Sequence, residues 1–272
     1  MFCPPVHIVL YEHLILALIV LPILIRRRRL LRDISGSSWV ALLGISWIGS
    51  AAATVLFTYA LQSGNPTTAV LLQKLQPIFA ILLARTLLNE RWSSRFPSIA
   101  LGGIAGAYLI SFGNGSLLDP LAGVDGWPAL LATLAALGWG GSTVLGRWLA
   151  PQIPFDLLTS LRVLLAVPLL VLLGFSQPFA LPGRELVAPL VFMALVPGFA
   201  GLMLYYRGLG RTPAFAATVA ELAFPATAAL LNWVFLGAES TLMQVAGFVV
   251  VWSAIVFLRG QGAIDLAKPA RP

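Results

Sequence analysis

The chain has 272 residues, of which 59% are hydrophobic and only 10% are charged. Soluble domains typically carry about 25% charged residues, so this chain cannot cover a soluble surface with polar groups and is expected to present a surface to lipid. Its single cysteine, Cys3, excludes an intrachain disulfide and a cysteine-based zinc cage, while the net charge of +7 leaves a nucleic-acid partner open until the charges are located.

Nine apolar segments follow one another along the chain, each near the length of about 17–25 residues that a transmembrane helix needs. We number them α1 to α9, and they span 6–25, 38–61, 66–88, 97–113, 127–150, 155–174, 188–209, 214–236 and 242–258. Gly, Pro, Ser and Asn residues mark the connections, none of which is long enough for a soluble domain. The sequence therefore predicts an all-α integral membrane protein with nine transmembrane helices.

The positive charges lie almost entirely at one set of helix ends. Of the 17 Lys and Arg residues, fourteen lie in the α1–α2, α3–α4, α5–α6 and α7–α8 connections or near the C-terminus. Arg184 alone lies at the opposite ends, and Lys74 and Arg162 lie inside helices. The positive-inside rule then predicts a cell-membrane protein with a cytoplasmic C-terminus. The Arg26–Arg29 run is interpreted as a topology anchor, with a lipid-headgroup or nucleic-acid contact as the alternative, and no nucleic-acid partner is needed to explain the charge.

The chain also contains an internal repeat. At an offset of 148, residues 59–88 lie over residues 207–236, and the mid-helix Pro77 falls on Pro225. Five spans separate the two copies, and an odd number places them in the membrane in opposite directions. Inverted repeats of this kind are typical of secondary transporters, whose substrate site lies near the midplane between the halves.

The repeat divides the chain into two half-bundles of unequal size. Residues 1–113 form a first half of four helices, residues 127–258 form a second half of five, and residues 259–272 form a cytoplasmic tail. The helix without a counterpart is α5, so the first half is predicted to lack its first helix. We expect the groove left by that helix to expose apolar side chains beside α1.

Two segments carry a resemblance to a known family. They read LQSGNPTTAVLLQKLQPIFAILLARTLLNER (61–91) and LGRTPAFAATVAELAFPATAALLNWVFLGAE (209–239), and they resemble the EamA family of the drug/metabolite transporter superfamily. Each half in that family has a short loop, a helix with a central proline and a Leu-Gly-Glu-like end. Pro77, Glu90 and Pro225 fit this pattern, whereas Glu239 lies one residue late. The resemblance implies ten helices, both termini inside, and transport of small metabolites, often amino acids or related compounds.

Polar residues at membrane depth are costly and tend to line cavities, so they are the main site candidates. Those beside the two repeat prolines are Gln73, Lys74 and Gln76 before Pro77, and Glu221 before Pro225. A proline also frees a backbone carbonyl, which can face such a cavity. We expect Lys74 and Glu221 to face a shared central cavity with Gln73, Gln76 and Tyr59 or Tyr206 on its walls. The alternatives are a structural ion pair, or a Lys74 side chain extended to the interface.

A second group of candidates lies in α1 and α6. Glu12 and His13 lie about one and a half turns into α1 and overlie Arg162 of α6 in the repeat. His13 can relay protons near neutral pH, or the pair can simply face the outer vestibule, and Arg162 can bind substrate or pair with a helix end or a carboxylate. Aromatic residues inside helices can wall a substrate pocket; they are Trp47, Tyr59, Trp139, Tyr205 and Tyr206.

No catalytic motif or metal-spaced His/Cys cluster is found, so neither an enzyme nor a cofactor is expected. The leading hypothesis is a secondary transporter, and more specifically an exporter, of a small organic metabolite such as an amino acid, working by alternating access. Its partners would be the solute and the lipid bilayer. The alternative is a non-transporting or truncated membrane protein that acts as a scaffold or remnant. A Gly102-x-x-x-Gly106 seam in α4 favours close packing inside the bundle or a homodimer interface.

Overall fold

The computed structural model describes residues 4–112, 125–178, 180–235, 237 and 239–259, and within these ranges it contains helices and no strands. The nine predicted segments all coincide with helices, which confirms the all-α membrane architecture. Their observed bounds are α1 Pro5–Arg27, α2 Gly36–Ser63, α3 Pro66–Leu87, α4 Phe96–Phe112, α5 Gly126–Leu149, α6 Phe155–Gly174, α7 Arg184–Leu209, α8 Ala214–Phe235 and α9 Leu242–Arg259. Seven have the length and hydropathy of membrane spans, and α4 and α9 are shorter apolar helices.

Local capping explains where several helices begin. Ser35 accepts a hydrogen bond from the Ser38 amide before α2, Asn65 accepts one from Thr67 before α3, and Asp125 accepts one from Trp127 before α5. Short polar side chains at this position satisfy amides that have no partner within the helix. The turn residues that separate apolar segments in the sequence are therefore also the residues that start the helices.

Equivalent helices of the two halves meet in pairs. Helix α1 packs against α6, α4 packs against α9, and the start of α8 packs against α3. Both α2 and α7 contain a π-helical stretch, at Gly44–Ala52 and at Ala194–Gly201 respectively. The second stretch lies 149 or 150 residues after the first, close to the repeat offset. A pseudo-two-fold axis between the halves would produce this pairing and this recurrence.

Helix α5, which has no repeat counterpart among the described residues, packs against α2 and α3. The repeat-equivalent surface on α7 and α8 is more open: Ala60 is fully buried, whereas its equivalent Gly208 is exposed. Leu204 of the same surface is 68% exposed. An apolar cavity of about 200 Å³ between α1 and α7 is lined by side chains that include Leu14 and Leu190. The groove expected from a missing helix beside α1 stays a prediction.

The α4–α9 contact uses one of the two glycines of the predicted seam. A Cβ atom on Gly106 would stand 2.8 Å from the carbonyl oxygen of Gly247, so only glycine allows this close backbone approach. A Cβ on Gly102 would meet nothing within 4 Å. Gly106 therefore serves packing inside the bundle, and Gly102 faces away from it.

Candidate functional site

Helices α3 and α8 are both interrupted just before their central prolines. In α3 the amides of Lys74 and Leu75 donate to carbonyls only three residues back, those of Leu71 and Leu72. Pro77 has no N–H to offer the carbonyl of Gln73, so the regular hydrogen-bond ladder cannot continue through this turn. The interruption falls within the polar Gln73–Gln76 stretch.

The same interruption occurs in α8. The Leu222 amide donates to Val219, and the Phe224 amide donates to Glu221, again three residues back. Pro225 is the residue that lacks the N–H here. The two breaks lie 147 residues apart, at Lys74–Leu75 and Glu221–Leu222, so the repeat places one in each half.

The two breaks face each other across a cavity of about 190 Å³. Its walls are contributed by both halves of the protein: Gln73, Lys74, Gln76 and Pro77 from α3, and Glu221, Leu222, Phe224 and Pro225 from α8. The structure thus brings together the six polar and proline residues that the sequence singled out in these helices.

The Glu221 carboxylate is held by neutral donors from three other helices. Gln76 Nε2 donates to Oε2 at 2.8 Å, and the Tyr205 hydroxyl lies 3.0 Å from Oε1. Thr143 Oγ1 lies 2.9 Å from the Tyr205 oxygen and 3.5 Å from Glu221 Oε1. Hydrogen bonds reduce the cost of placing a carboxylate at membrane depth. They also connect α3, of the first half, to α5, α7 and α8 of the second.

Lys74 has a different environment. Among the described residues no carboxylate oxygen lies within 4.0 Å of its ammonium group, so the ion pair with Glu221 considered above is not formed. Lys74 lines both the central cavity and a second cavity of about 440 Å³. The second cavity extends toward the arginine-poor end of the bundle, where Asn232, Trp233 and Glu239 contribute to its wall. The ammonium group therefore lies beside space that a solute or water can fill.

Arg162 lies in a neighbouring polar cluster. Its Nε donates to Ser50 Oγ at 2.6 Å, and its Nη1 donates to the Tyr206 hydroxyl at 2.8 Å. Among the described residues no carboxylate oxygen lies within 4.0 Å of Arg162, and hydroxyls of α2 and α7 accept its hydrogen bonds; a role in substrate binding stays a prediction. Neither Tyr206 nor Tyr59 is on the wall of the central cavity, which corrects a second expectation. Adjacent residues on a helix point about 100° apart, so Tyr205 faces Glu221 and Tyr206 faces Arg162.

Glu12 and His13 of α1 line neither the central cavity nor the larger second cavity. His13 is buried, and its Nδ1 donates to the carbonyl of Val9 at 2.9 Å, within its own helix. This hydrogen bond leaves Nε2 as the remaining ring nitrogen for any proton exchange. Glu12 is half-buried and makes no hydrogen bond or ion pair to any described residue.

The remaining aromatic candidates hold helices together. Trp47 Nε1 donates to the carbonyl of Leu165 at 2.9 Å and so joins α2 to α6. Trp139 meets Phe57 edge-on with 5.2 Å between ring centres, which joins α5 to α2. Tyr59 is half-buried among apolar side chains of α1, α2, α5 and α6. None of the three lines the cavity between the helix breaks.

Sequence reasoning did not identify Thr143 or Ser50. Both are small hydroxyl residues in apolar helices, where most such residues bond to their own backbone, as Thr133 and Ser46 do here. No spacing in the sequence distinguishes hydroxyl residues that bond to their own helix from those that contact another helix. Tyr205 was identified as an aromatic wall residue, but its contact with Glu221 depends on the rotation of α7 about its axis.

The fold is that of a multi-pass membrane protein with paired helix breaks. A model of the EamA-like transporter family matches residues 2–112 and 126–260, and the chain belongs to that family. A riboflavin transporter of Rhizobium johnstonii is 26% identical over 232 residues, covering 85% of this chain and 71% of that protein. The riboflavin transporter ImpX of Fusobacterium nucleatum is 30% identical over 197 residues, which is 70% of this chain. The match spans just under two thirds of ImpX, 65% of its length.

Two further likenesses extend over nearly the whole chain. The uncharacterized transporter YdfC of Bacillus subtilis is 26% identical over 263 residues, which is 93% of this chain and 81% of that protein. A solved crystal structure superposes with a TM-score of 0.72 at 20% identity, covering 94% of this chain and 88% of the other. At this level of identity the structural likeness shows the fold.

Proposed function

We propose that the chain moves a small organic solute across the membrane by alternating access, with its site at the facing breaks of α3 and α8. The observation that carries the proposal is that polar side chains of opposite halves, Gln73, Lys74, Gln76 and Glu221, line one central cavity. A site shared between halves can be exposed to either membrane face when one half rocks against the other. The arginine-rich ends are taken to be cytoplasmic, which makes the larger cavity the outer one.

The two charged residues have distinct roles in this proposal. Lys74 attracts an anionic group or a carbonyl oxygen of the solute, because no described carboxylate occupies its ammonium group. Glu221 exchanges a proton as the cavity changes sides, because its neutral partners can bond to either form of the carboxyl group. An amide can replace its hydrogen bonds but cannot carry the proton.

Riboflavin is the first solute to test, because two of the similar proteins are named riboflavin transporters. The outer cavity of about 440 Å³ contains Phe224 and Trp233, whose rings can stack on a flat heteroaromatic ring. Amide groups of Asn232 and Gln244 lie on the same wall and can bond to polar ring edges. Amino acids and related compounds are the second class to test, and export is the direction that we propose.

The experiment is a flux assay in proteoliposomes with labelled riboflavin inside or outside and a proton gradient of either sign. Lys74→Met is expected to raise the half-saturating concentration about tenfold, and Glu221→Gln is expected to abolish the response to the proton gradient. Glu185→Gln, an exposed carboxylate at the start of α7, is the matched control and should behave as the unmodified chain.

The outcomes distinguish the parts of the proposal. Flux of another solute with the same variant effects would change the substrate and keep the site. Flux that neither variant alters would refute the site. A folded protein that neither binds nor moves any tested solute would favour a non-transporting role.

A further inference from the structure

The arginine-rich end of the bundle is closed by a contact between the two halves. Glu90, in the connection after α3, accepts hydrogen bonds from the first two amides of α8. Its Oε1 accepts from Ala214 at 2.9 Å, and its Oε2 accepts from Phe215 at 3.1 Å. One carboxylate of the first half therefore holds the start of a helix of the second half.

The sequence explains why α8 needs a partner from outside. Its N-cap residue is Pro213, which has no side-chain acceptor and makes no capping hydrogen bond. The repeat-equivalent helix α3 begins with Asn65, whose own side chain accepts from Thr67. The first amides of a helix need acceptors. Helix α3 supplies an acceptor itself, whereas α8 takes its acceptors from Glu90.

Arg147, in the last turn of α5, positions both sides of this contact. Its Nη1 donates to the carbonyls of Leu209, the last residue of α7, and Gly210, the first residue of the connection to α8, at 3.0 and 2.8 Å. Its Nε lies 4.0 Å from Glu90 Oε1, and both side chains are largely buried, with 18% and 13% of their surface exposed. A partly buried charge pair is screened less by salt than a surface pair.

An aromatic cluster closes the same end. Phe215, whose amide is bound by Glu90, packs edge-on against Phe96 with 4.6 Å between ring centres. Trp92 lies 5.7 Å from Phe96 and 6.1 Å from Phe215. The carboxylate contact thus fixes the residue that completes the apolar seal.

The opposite end of the bundle has no matching closure among the described residues. Glu239, which corresponds to Glu90 at an offset of 149, is exposed and lines the larger cavity. At the start of α3, the Thr67 amide already donates to the side chain of Asn65. The two ends of a near-symmetric protein are therefore in different states, one sealed and one reached by the cavity.

We propose that the closed arginine-rich end is the inner gate of the protein and that Glu90 is its latch, the residue whose hydrogen bonds to α8 hold the gate closed. Arg147 is the positioning residue of this latch. This inference rests on the alternating-access function proposed above. The contact must break before the central cavity can reach the arginine-rich end, and its strength sets the ratio of outward-open to inward-open protein. Loss of an N-cap interaction costs about 0.5–2 kcal/mol, which corresponds to a shift of about 2- to 30-fold in that ratio.

The test measures accessibility from each side without any substrate. In a background with Cys3→Ser, Ala84→Cys reports the inner end, because Ala84 is fully buried in the cluster of side chains that includes Ala214. Asn232→Cys reports the outer cavity, which it lines. The labelling rate of each is measured with a membrane-impermeant maleimide in right-side-out and inside-out vesicles.

Glu90→Ala is expected to raise inner labelling and to lower outer labelling, so that the ratio of the two labelling rates shifts by about 2- to 30-fold, the range that N-cap loss sets. Arg147→Gln should act in the same direction but less strongly. Arg211→Gln, an exposed arginine at the same end, is the matched control and should leave both rates unchanged. The reciprocal change is the decisive readout, because general destabilisation would raise labelling at both positions.

Unchanged labelling in Glu90→Ala, or an increase on both sides, would overturn the latch. A reciprocal shift without flux of any solute would keep the latch and count against the transport function. Normal flux with unchanged labelling would support the transport function and count against the latch.

Discussion

The environment of Glu221 shows how much one residue position matters in this site. Tyr205 and Tyr206 are neighbours with 5.5 Å between ring centres, yet one contacts a carboxylate and the other a guanidinium. The pair therefore connects the helix breaks to the Arg162 cluster. Exchanging the roles of the two hydroxyls would need a rotation of α7 by about 100°.

This adjacency supplies a matched pair of variants. Tyr205→Phe removes a donor from Glu221, and we expect it to alter the pH dependence of flux. Tyr206→Phe removes an acceptor from Arg162, and we expect the pH dependence to be retained. Each should lower the free energy of unfolding by about 1–3 kcal/mol, because a buried polar group loses a partner. Flux across a pH series and thermal unfolding in detergent are the measurements, and equal pH profiles for the two variants would contradict the assigned roles.

The site could be predicted in part. Charged and amide residues beside a proline in both repeats identified the helix breaks, because such residues are too costly at membrane depth to be placed there without a cavity or a partner. The partners of Glu221 and Arg162 could not be predicted. Thr143 and Ser50 resemble any hydroxyl residue in an apolar helix, and the choice between Tyr205 and Tyr206 depends on helix rotation, which spacing alone does not give.

At the scale of the helices, irregular turns recur in both halves. The π-helical stretches of α2 and α7 and the breaks of α3 and α8 interrupt four helices that surround the polar residues. Such interruptions free backbone groups, which are tolerated at membrane depth only where protein or a cavity satisfies them. By contrast, α4 and α9 are joined by regular close packing at Gly106 and Gly247.

The α4 glycines allow a direct test of this packing. Gly106→Val is expected to lower the free energy of unfolding by about 1–3 kcal/mol, the usual cost of overpacking, because its Cβ would stand 2.8 Å from a backbone oxygen. Gly102→Val should leave stability unchanged, since nothing lies within 4 Å of that Cβ. Thermal unfolding in detergent measures both.

Light scattering of the same samples addresses the homodimer. A change in mass for Gly102→Val alone would place the outward-facing glycine in a contact between copies. Equal destabilisation by both substitutions would contradict the packing described here.

At the scale of the whole molecule, the number and order of the helices follow from apolar length alone, and the repeat follows from the two prolines. The state of the gates does not follow from either. Near-symmetric halves can form both an outward-open and an inward-open arrangement. Which of the two is more stable therefore depends on small differences between the halves, such as the N-cap residue, which is Asn65 in α3 and Pro213 in α8. The effect of this difference can be recognised only in the structure, where Glu90 accepts hydrogen bonds from the first two amides of α8.

The assignment of inner and outer faces depends on the distribution of positive charge, with fourteen Lys and Arg residues at one set of ends and Arg184 alone at the other. Short basic loops are retained in the cytoplasm during insertion, so we predict that a green fluorescent protein fused after Pro272 is fluorescent and that alkaline phosphatase fused there is inactive. A control fusion after Pro178, in the α6–α7 connection, should give the opposite pair of results. Active phosphatase after Pro272 would reverse the orientation, and the sealed end would then be the outer gate. The hydrogen bonds of Glu90 would be unchanged by that result, but the protein described here would be open to the cytoplasm.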